Sequence, residues 1–499
     1  MAKKIPPRFK IGLKIVLFLC GFVLLFLFFS RLLILKSGTS AAYATASGFR
    51  AEPRNSLDVV LVGSCHVHYN FSPGYLWEIH GIPACNYSSG NQELEVSLLN
   101  IHEIFKHQNP KLIVLDVYGA TYADTYSSPK TINTYLQGNF DAHPISMQKL
   151  KTAYQFKDTA NPLELAFGLL YHKSRFQSLN AADFSFLKDK ISPTKGYYAL
   201  GSATLQNQTV FNPSRSSNDV RAFEKEDVLK EIIDYVHSQG SNILLIASPY
   251  ETSVDEFAFY NRVAEIAAEK EVPFLNFNQI QTYDDLDAID SDFADTHHFN
   301  FRGVQKYTNY LGNYFTENYD FTDKCSDPNY SAWNEFTVPA TQATMLANEL
   351  KIENHSDAWL TILNNPDCIL FLNTQDSQNL PVCDYLSEDT ILALQTLGIQ
   401  TDLSDSSIRS YQAILCDGEA VNEAVASLEE KYLANEWQFD EMYVTLESSS
   451  KNVEFASTKI GNVEYGVDRS GLTIAVYSKS LKKVVDSGAI NGDSVNRKL

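Results

Sequence analysis

Two short segments, far apart along the chain, carry side chains that could transfer an acyl group. The first is Gly63–His66, which follows the apolar run Leu57–Val62 and offers two nucleophiles, the Ser64 hydroxyl and the Cys65 thiol. A β-rich run that breaks into small residues is typical of a strand-to-helix turn, which can hold a nucleophile exposed above a parallel sheet. Taken alone, the segment fits a strand end with a buried thiol better than a catalytic turn.

The second segment is Asp295–His298. An acid three residues before a histidine supplies a proton-transferring imidazole and the carboxylate that orients it. We therefore predict that His298 takes the proton of the nucleophile and that Asp295 fixes the tautomer of its ring. His297 is an alternative base. The alternative without chemistry is a helix cap at Asp295 followed by two solvated histidines.

Catalysis at an acyl carbon also needs hydrogen-bond donors for the developing oxyanion. The loop 88–92 follows the second predicted strand and is a natural source of such donors. We predict that Gly90 donates its backbone amide and that Asn91 donates its side-chain amide, with Gln92 as an alternative. The alternative without chemistry is that this loop is an ordinary turn before the next helix, because such a turn would have the same composition.

Histidines in both segments allow a metal interpretation as well. His66, His68, His297 and His298, together with Asp295, could ligate Zn²⁺ if the two loops meet above the sheet. The chain lacks the H-E-x-x-H spacing of zinc hydrolases and any comparable one. We therefore predict no metal and no other cofactor.

Five short apolar runs are predicted β-strands, and amphipathic helical stretches lie between them. The predicted strands are Val59–Val62, Ala84–Tyr87, Leu112–Val117, Ile243–Ala247 and Phe274–Phe277. Strands that alternate with helices predict a three-layer α/β/α domain around a parallel sheet. Ligands of such sheets bind beyond the carboxyl ends of the strands, where Gly63–His66 lies.

The composition predicts four segments. Residues 1–36 form a cytoplasmic tail and membrane anchor, 37–56 a linker, 57–320 the α/β domain, and 321–499 a C-terminal β-rich accessory domain. An aromatic insertion at 120–222 interrupts the α/β domain, either as a wall of the substrate site or as packing at the sheet edge. The strands predicted in the accessory domain include Val453–Ala456, Val463–Gly466 and Leu472–Tyr477.

The N-terminal region predicts a single membrane-spanning helix. The run Ile15–Leu35 is apolar except for Ser30 and Arg31, and about 20 apolar residues suffice to cross a bilayer. Residues 1–36 contain seven Lys/Arg and no Asp/Glu, so the positive-inside rule places the N-terminus in the cytoplasm and the body outside. A signal peptide cleaved near Ala42–Ala44 is the alternative, although that point lies well beyond the apolar core.

Charge and cysteine content exclude other classes of protein. The net charge is −20, and so acidic a chain would repel the phosphate backbone of a nucleic acid. The seven cysteines form no CxxC pair, which argues against a disulfide scaffold or a structural metal site. One or two bridges among Cys325, Cys368, Cys383 and Cys416, or free buried thiols, both remain compatible with the sequence.

These motifs resemble the SGNH/GDSL-type hydrolase superfamily over roughly Leu57–Leu311. In that superfamily a Gly-x-Ser block carries the nucleophile, a Gly in a second block helps to form the oxyanion hole, and a late Asp-x-x-His completes the triad. The resemblance implies a flavodoxin-like strand order. It puts Cys65 at the position of the serine, with Ser64 one residue early, and Gly90 in the second block. The third block of the superfamily, which holds an Asn, has no clear counterpart here.

The segments Leu61–His66, Gly81–Pro83 and Lys111–Gly119 resemble a membrane-anchored branch of bacterial envelope proteins. That branch is similar to the D-alanyl transfer protein of teichoic acid modification and to polysaccharide O-acetylation proteins. The resemblance implies acyl transfer or ester hydrolysis on a cell-envelope polysaccharide, with an acyl donor or a membrane acyltransferase as partner. A non-catalytic envelope scaffold or glycan-binding protein with a degenerate site is the alternative. The C-terminal end resembles ILEI-type β modules.

Overall fold

A computed structural model gives the fold of most of the chain. The described residues are 7–36, 41–121, 129–181, 183–184, 189–200, 210, 216–375, 380–427, 432–439, 442–449, 457–467 and 469–498. The chain forms two compact units, one of residues 1–198 and 205–338 and the other of residues 199–204 and 339–499.

A five-stranded parallel sheet forms the centre of the first unit. Its strands are β1 (Val59–Gly63), β2 (Ala84–Ser88), β3 (Leu112–Asp116), β4 (Asn242–Ala247) and β5 (Phe274–Asn276). Their order across the sheet is β2-β1-β3-β4-β5, which is flavodoxin-like. The predicted parallel sheet is therefore confirmed, and each strand lies within one residue of its predicted bounds.

The first unit also contains helices, several of which cover the sheet. They are α1 (Pro7–Leu32), α2 (Ala42–Ala51), α3 (Cys65–Asn70), α4 (Pro73–His80), α5 (Leu94–His107), α6 (Pro129–Asp141), α7 (Met147–Gln155), α8 (Pro162–Ala166), α9 (Gly168–Tyr171), α10 (Glu226–Ser238), α11 (Val254–Glu269), α12 (Ile280–Asp285) and α13 (Phe301–Asn318). Val60 and Val62 of β1 pack in one core with α5, α10 and α11. Leu61 and Val114, at the alternate positions, are also fully buried, so both faces of the sheet are covered.

The segment predicted as a linker contains α2, which is part of the folded unit. Phe49 is fully buried and stacks on Tyr87 of β2 with ring centroids 4.8 Å apart. The Thr45 hydroxyl donates to the carbonyl oxygen of Ser88 at 2.7 Å. Ala, Ser, Thr and Gly dominate this helix, and such residues resemble a tether in the sequence. Burial against β2 explains why they are helical.

The N-terminal helix α1 contains Ile11–Leu32, a segment with a mean hydropathy of 2.7 that is long and apolar enough to cross a membrane. Its carboxyl-terminal part contacts the described portion of the insertion. The ring of Phe26 lies edge-on to Phe167 at 5.2 Å, and that of Phe29 lies edge-on to Phe176 at 5.4 Å. Arg31 donates to the carbonyl oxygen of Asp141 at 3.1 Å.

The second unit contains two antiparallel sheets. The strands are β6 (Cys368–Gln375), β7 (Ile408–Cys416), β8 (Glu419–Ser427), β9 (Tyr432–Phe439), β10 (Met442–Ser449), β11 (Ser457–Ile460), β12 (Val463–Glu464), β13 (Gly471–Ser478), β14 (Lys483–Asn491) and β15 (Ser494–Arg497). The sheet orders are β15-β14-β13-β6-β7-β8 and β12-β11-β10-β9. The predicted β-rich C-terminal region is confirmed, and the predicted strand Val453–Ala456 lies outside the described residues.

Helices and a shared core complete the second unit. The helices are α14 (Val338–Ile352), α15 (Ser356–Leu363) and α16 (Glu388–Thr396). Phe371 and Ile414 of the six-stranded sheet pack against Val444 and Leu446 of the four-stranded sheet. The other face of the six-stranded sheet packs against α15 through Trp359. All seven cysteines of the chain are free thiols, so no disulfide contributes to either unit.

Candidate active site

The turn between β1 and α3 sets the position of Cys65. Gly63 ends β1 with φ 157°, and a Cβ atom there would lie 2.7 Å from Cβ of Asp116 and 2.9 Å from Cγ2 of Val67. Only glycine avoids both contacts. The chain turns at this point into α3, whose first residue is Cys65. The predicted strand-to-helix turn is therefore present, at the carboxyl end of a central strand.

The two candidate nucleophiles differ in their surroundings. Ser64 is the N-cap of α3, it is 1 % exposed, and its hydroxyl oxygen accepts the backbone N–H of His66 at 3.4 Å. Side-chain oxygens at this position commonly satisfy the free N–H groups of the first helical turn. Cys65 is only partly buried. Ser64 thus has a structural role in the turn, while Cys65 is more exposed than Ser64.

A hydrogen bond joins the helix that follows Ser64 to the loop that carries Asp295 and His298. The backbone N–H of Phe299 donates to Oδ1 of Asn70, the last residue of α3, at 2.9 Å. A bridge between Phe293 and Phe299 closes the loop that carries Asp295 and His298. This loop is therefore held directly beside the helix that begins at Cys65.

Asp295, His298 and Cys65 lie in a row. Both carboxylate oxygens of Asp295 are 3.0 Å from Nδ1 of His298. The Cys65 Sγ and a ring nitrogen of His298 lie within 4.8 Å of each other. Nε2 of His298 is buried, and the Cys65 thiol is close enough to the His298 ring to interact with it. Since Nδ1 is engaged by Asp295, Nε2 is the nitrogen free to exchange a proton with the thiol.

The pKa shifts of His298 and Asp295 follow from the contacts of these two side chains. Burial opposes a positive charge on His298, but the hydrogen bond to Asp295 and the neighbouring Cys65 outweigh it and raise the pKa of His298 to about 9. Burial favours the neutral form of Asp295. Hydrogen bonds from the His298 ring and from two backbone N–H groups nevertheless lower its pKa. With its pKa raised, His298 can carry a proton and give it to a leaving group.

His66, which the sequence singles out only as a candidate metal ligand, lies against this row in an aromatic environment that the sequence does not predict. Its ring is fully buried and stacks on Tyr118 at 4.2 Å, with Tyr250 at 5.1 Å and His298 at 5.6 Å. Burial above all, and then the nearby histidines, hold the pKa of His66 well below its ordinary value. The only indication of these aromatic surroundings in the sequence is that Tyr118 and Tyr250 closely follow predicted strands, and hence lie at the same edge of the sheet.

The remaining predicted site residues lie elsewhere or have other partners. Ser89 N–H donates to the Gly63 carbonyl oxygen at 3.3 Å, which attaches the loop after β2 to the end of β1. The Gly90 carbonyl oxygen accepts from Asn139 at 3.3 Å, and Asn91 has a left-handed φ of 50°. The oxyanion roles of Gly90 and Asn91 stay predictions.

The four histidines do not form one metal cluster in the part of the chain that the structure describes. His68 Nδ1 is paired with the Ser88 hydroxyl at 3.1 Å. His297 Nδ1 is paired with the Thr296 hydroxyl at 2.9 Å. His297 is not the residue whose ring Asp295 holds, which leaves His298 as the better placed base.

Two cavities are lined by aromatic side chains that contact His297 or His298. One, of about 690 Å³, is lined in part by Tyr69, whose ring lies edge-on to His298 at 5.0 Å. The other, of about 480 Å³, is lined in part by Tyr250, whose ring stacks on His297 at 5.5 Å. Both cavities thus border aromatic side chains that contact the two histidines, and neither lining includes Cys65.

Comparisons with known proteins find solved structures with low sequence identity and low TM-scores. No protein-family model matches the chain, and no curated protein does. A protein from Bacteroides fragilis named as an acylhydrolase is 9% identical, over 55% of this chain and 94% of its own, with a TM-score of 0.26. An acetylxylan esterase from Geobacillus stearothermophilus is 10% identical, over 54% of this chain and 97% of its own, also with a TM-score of 0.26. A gut microbial diltiazem-metabolizing enzyme is 12% identical, over 54% of this chain and 49% of its own, with a TM-score of 0.21.

Proposed function

We propose that the first unit is a thiol-dependent acyl hydrolase or acyltransferase. Cys65 is the nucleophile, His298 transfers protons and Asp295 orients His298. The observation that carries this proposal is the row of three side chains, in which Asp295 occupies Nδ1 of His298 and leaves Nε2 facing Cys65. Cys65 is preferred to Ser64 because the Ser64 hydroxyl is buried and caps α3.

The reaction has two half-reactions. The Cys65 thiolate attacks the acyl carbon of an ester, a C–S bond forms, and the tetrahedral oxyanion collapses as the ester C–O bond breaks. The His298 imidazolium gives its proton to the departing alkoxide. In the second half, neutral His298 removes a proton from water or from a sugar hydroxyl. That oxygen attacks the thioester, the C–S bond breaks and the thiolate is regenerated. Water as acceptor gives an esterase, and a hydroxyl gives a transferase.

The substrate class that we propose is an O-acylated polysaccharide of the cell envelope. The motif resemblance to envelope O-acylation proteins supports this, and so does the 480 Å³ cavity next to His297. That cavity is lined by the aromatic ring of Tyr250 and by side-chain amides, which can hydrogen-bond sugar hydroxyls. The amides belong to Asn218, Asn261, Asn278, Gln279 and Gln281.

The location that we propose is the outer face of a cell membrane, with α1 as a retained anchor. Cations precede the apolar core of α1 and acids are absent from residues 1–36, which favours a cytoplasmic N-terminus. An acyl donor in the membrane, or a membrane acyltransferase that delivers the acyl group, is the proposed partner. A reporter fused to either terminus tests this topology, because only an extracytoplasmic C-terminus agrees with the proposal.

Hydrolysis of p-nitrophenyl acetate by the full chain in detergent tests the proposed chemistry. Cys65→Ala and His298→Ala should each remove turnover, whereas Ser64→Ala should retain it in the fraction of protein that stays folded. Thermal unfolding of each variant separates lost chemistry from lost structure. Equal rates in wild type, Cys65→Ala and His298→Ala would overturn the assignment and favour a non-catalytic glycan-binding scaffold.

A further inference from the structure

His66 is a buried imidazole whose hydrogen-bonding capacity is unused. Neither Nδ1 nor Nε2 has a hydrogen-bond partner among the residues that the structure describes. Buried polar groups are almost always paired, and an exception calls for an explanation such as a bound ion. A ring nitrogen of His66, the Cys65 Sγ and a ring nitrogen of His298 all lie within 4.8 Å of one another. The unpaired imidazole therefore belongs to a compact set of three potential metal ligands.

From this geometry we propose that Cys65, His66 and His298 bind a zinc ion, which switches the acyl-transfer site off. Thiolate and imidazole are the ligands that Zn²⁺ prefers, with bond lengths of about 2.0–2.3 Å. Donor atoms around a tetrahedral zinc ion therefore stand roughly 3.3–3.8 Å apart, and closing this cluster onto an ion requires movements of only about 1 Å. Three protein ligands leave a fourth position for water.

The surroundings of His298 favour the same interpretation. Histidines that bind zinc usually donate their second ring N–H to a carboxylate, which fixes the tautomer and the orientation of the ring. Asp295 holds Nδ1 of His298 in this way, so Nε2 is the nitrogen presented to the ion. On the opposite side, the His66 ring is held against Tyr118. Neighbouring side chains thus orient both imidazoles before an ion arrives, and only small movements are then needed.

Zinc binding would use the atoms that the proposed reaction needs. The Cys65 sulfur coordinates as the thiolate and its proton passes to solvent, so the nucleophile is occupied. Nε2 of His298 is occupied as well and cannot transfer a proton. The inhibitory consequence rests on the proposed function, while the coordination itself does not.

Co²⁺ binding to the metal-free full chain in detergent tests the site, since a cobalt–thiolate bond gives a charge-transfer absorbance. We expect one ion per chain with this band in wild type, displacement of Co²⁺ by Zn²⁺, and no band in Cys65→Ala. His66→Phe keeps the stacked ring but lacks nitrogens, and should weaken binding at least tenfold while the band persists at saturation. Cys416→Ala removes a partly buried thiol of the second unit and should bind as wild type does.

A band that persists in Cys65→Ala, or wild-type affinity in His66→Phe, would overturn the zinc site. The two proposals can fail separately. A chain that hydrolyses esters and is insensitive to zinc contradicts only the zinc proposal. A chain that binds cobalt through Cys65 and His66 without hydrolysing any ester contradicts only the proposed function.

Discussion

Both carboxylate oxygens of Asp295 lie 3.0 Å from Nδ1 of His298. Oδ1 of the same carboxylate also accepts the backbone N–H groups of His297 and His298, at 2.8 and 2.9 Å. One carboxylate thus holds the imidazole and the loop that carries it. Because the Asp295 side chain is 48% exposed, we assign its main effect to orientation rather than to a large gain in stability.

Replacing Asp295 by Asn should therefore impair catalysis more than folding. An amide can donate to Nδ1 and so favours the wrong tautomer of His298, which should lower kcat roughly 10²- to 10⁴-fold. Steady-state hydrolysis of p-nitrophenyl acetate measures this, and thermal unfolding monitors the fold. Asp287→Asn, at a carboxylate that is 94% exposed, is the matched control and should behave as wild type. Similar kcat values for the two variants would contradict the orienting role.

Gly63→Ala should destabilise the first unit. The new Cβ would lie 2.7 Å from Cβ of Asp116, and overpacking of this kind costs about 1–3 kcal/mol. Gly240 also has a positive φ, but a Cβ there has nothing within 4 Å. Gly240→Ala therefore measures backbone strain without a clash. We expect a clearly lower unfolding temperature and less ester hydrolysis for Gly63→Ala than for Gly240→Ala, and equal losses would show that the close approach is unimportant.

The ion pair between Lys195 and Glu52 should couple the insertion to the segment after α2. Lys195 Nζ donates to both carboxylate oxygens of Glu52, at 2.8 and 3.0 Å, and the side chains are 5% and 2% exposed. Removing one partner leaves a buried charge, at a cost of roughly 3–5 kcal/mol. In a double-mutant cycle of unfolding temperatures, Lys195→Met combined with Glu52→Gln should lose less than the two single losses together.

An exposed ion pair supplies the control for that cycle. Lys479 and Asp417 lie 2.9 Å apart with side chains 37% and 65% exposed, and such exposed pairs contribute little to stability. Lys479→Met should therefore change the unfolding temperature little. Additive losses at Lys195 and Glu52 would contradict a coupled buried pair.

Asp116 should give the stability of the first unit a particular pH dependence. It accepts from the Tyr118 N–H at 3.0 Å and from the Ser248 hydroxyl at 2.7 Å, and the phenol groups of Tyr260 and Tyr307 are close enough to be influenced by its charge. Burial outweighs these hydrogen bonds and raises the pKa of Asp116 to about 6, from an ordinary 3.8. The folded state therefore retains a proton that the unfolded chain releases at lower pH.

The sign of the effect follows from this difference. Stability is unaffected by this group below pH ~4, falls as the pH rises from about 4 to 6, and is then lower by about 3 kcal/mol. Asp116→Asn cannot ionise and should not show this fall. The unfolding temperature of the variant minus that of wild type should thus rise between pH 4 and 6 and level off above. A constant difference across that range would refute the shifted pKa.

The sheet could be predicted from the sequence because each strand is a short apolar run that ends in polar or small residues. The contact between Asp295 and His298 could also be predicted, since their spacing places both on one loop. Helix α2 could not, because its small residues carry no helical pattern and it is burial of Phe49 against β2 that stabilises it. The environment of His66 depends on Tyr118 and Tyr250, which follow two other strands. No pattern of neighbouring residues in the sequence predicts that these three side chains meet.

Ser64 shows the limit of motif reasoning most clearly. The local sequence offers both Ser64 and Cys65, and the family resemblance alone puts Cys65 ahead of Ser64. What separates them is the turn after β1, in which the Ser64 hydroxyl accepts the His66 N–H whereas Cys65 is only partly buried. The turn that decides this depends on the close approach of Gly63 to Asp116.

Mass spectrometry of the intact chain after a brief reaction with p-nitrophenyl acetate tests the central claim most directly. If Cys65 is the nucleophile, wild type should gain one acetyl group that hydroxylamine removes, as expected of a thioester. Deacylation should be slower in His298→Ala, so that the acetyl group persists once formed. Cys65→Ala should gain none, whereas folded Ser64→Ala should still be acetylated. Acetylation that is undiminished in Cys65→Ala, or lost in folded Ser64→Ala, would contradict the account.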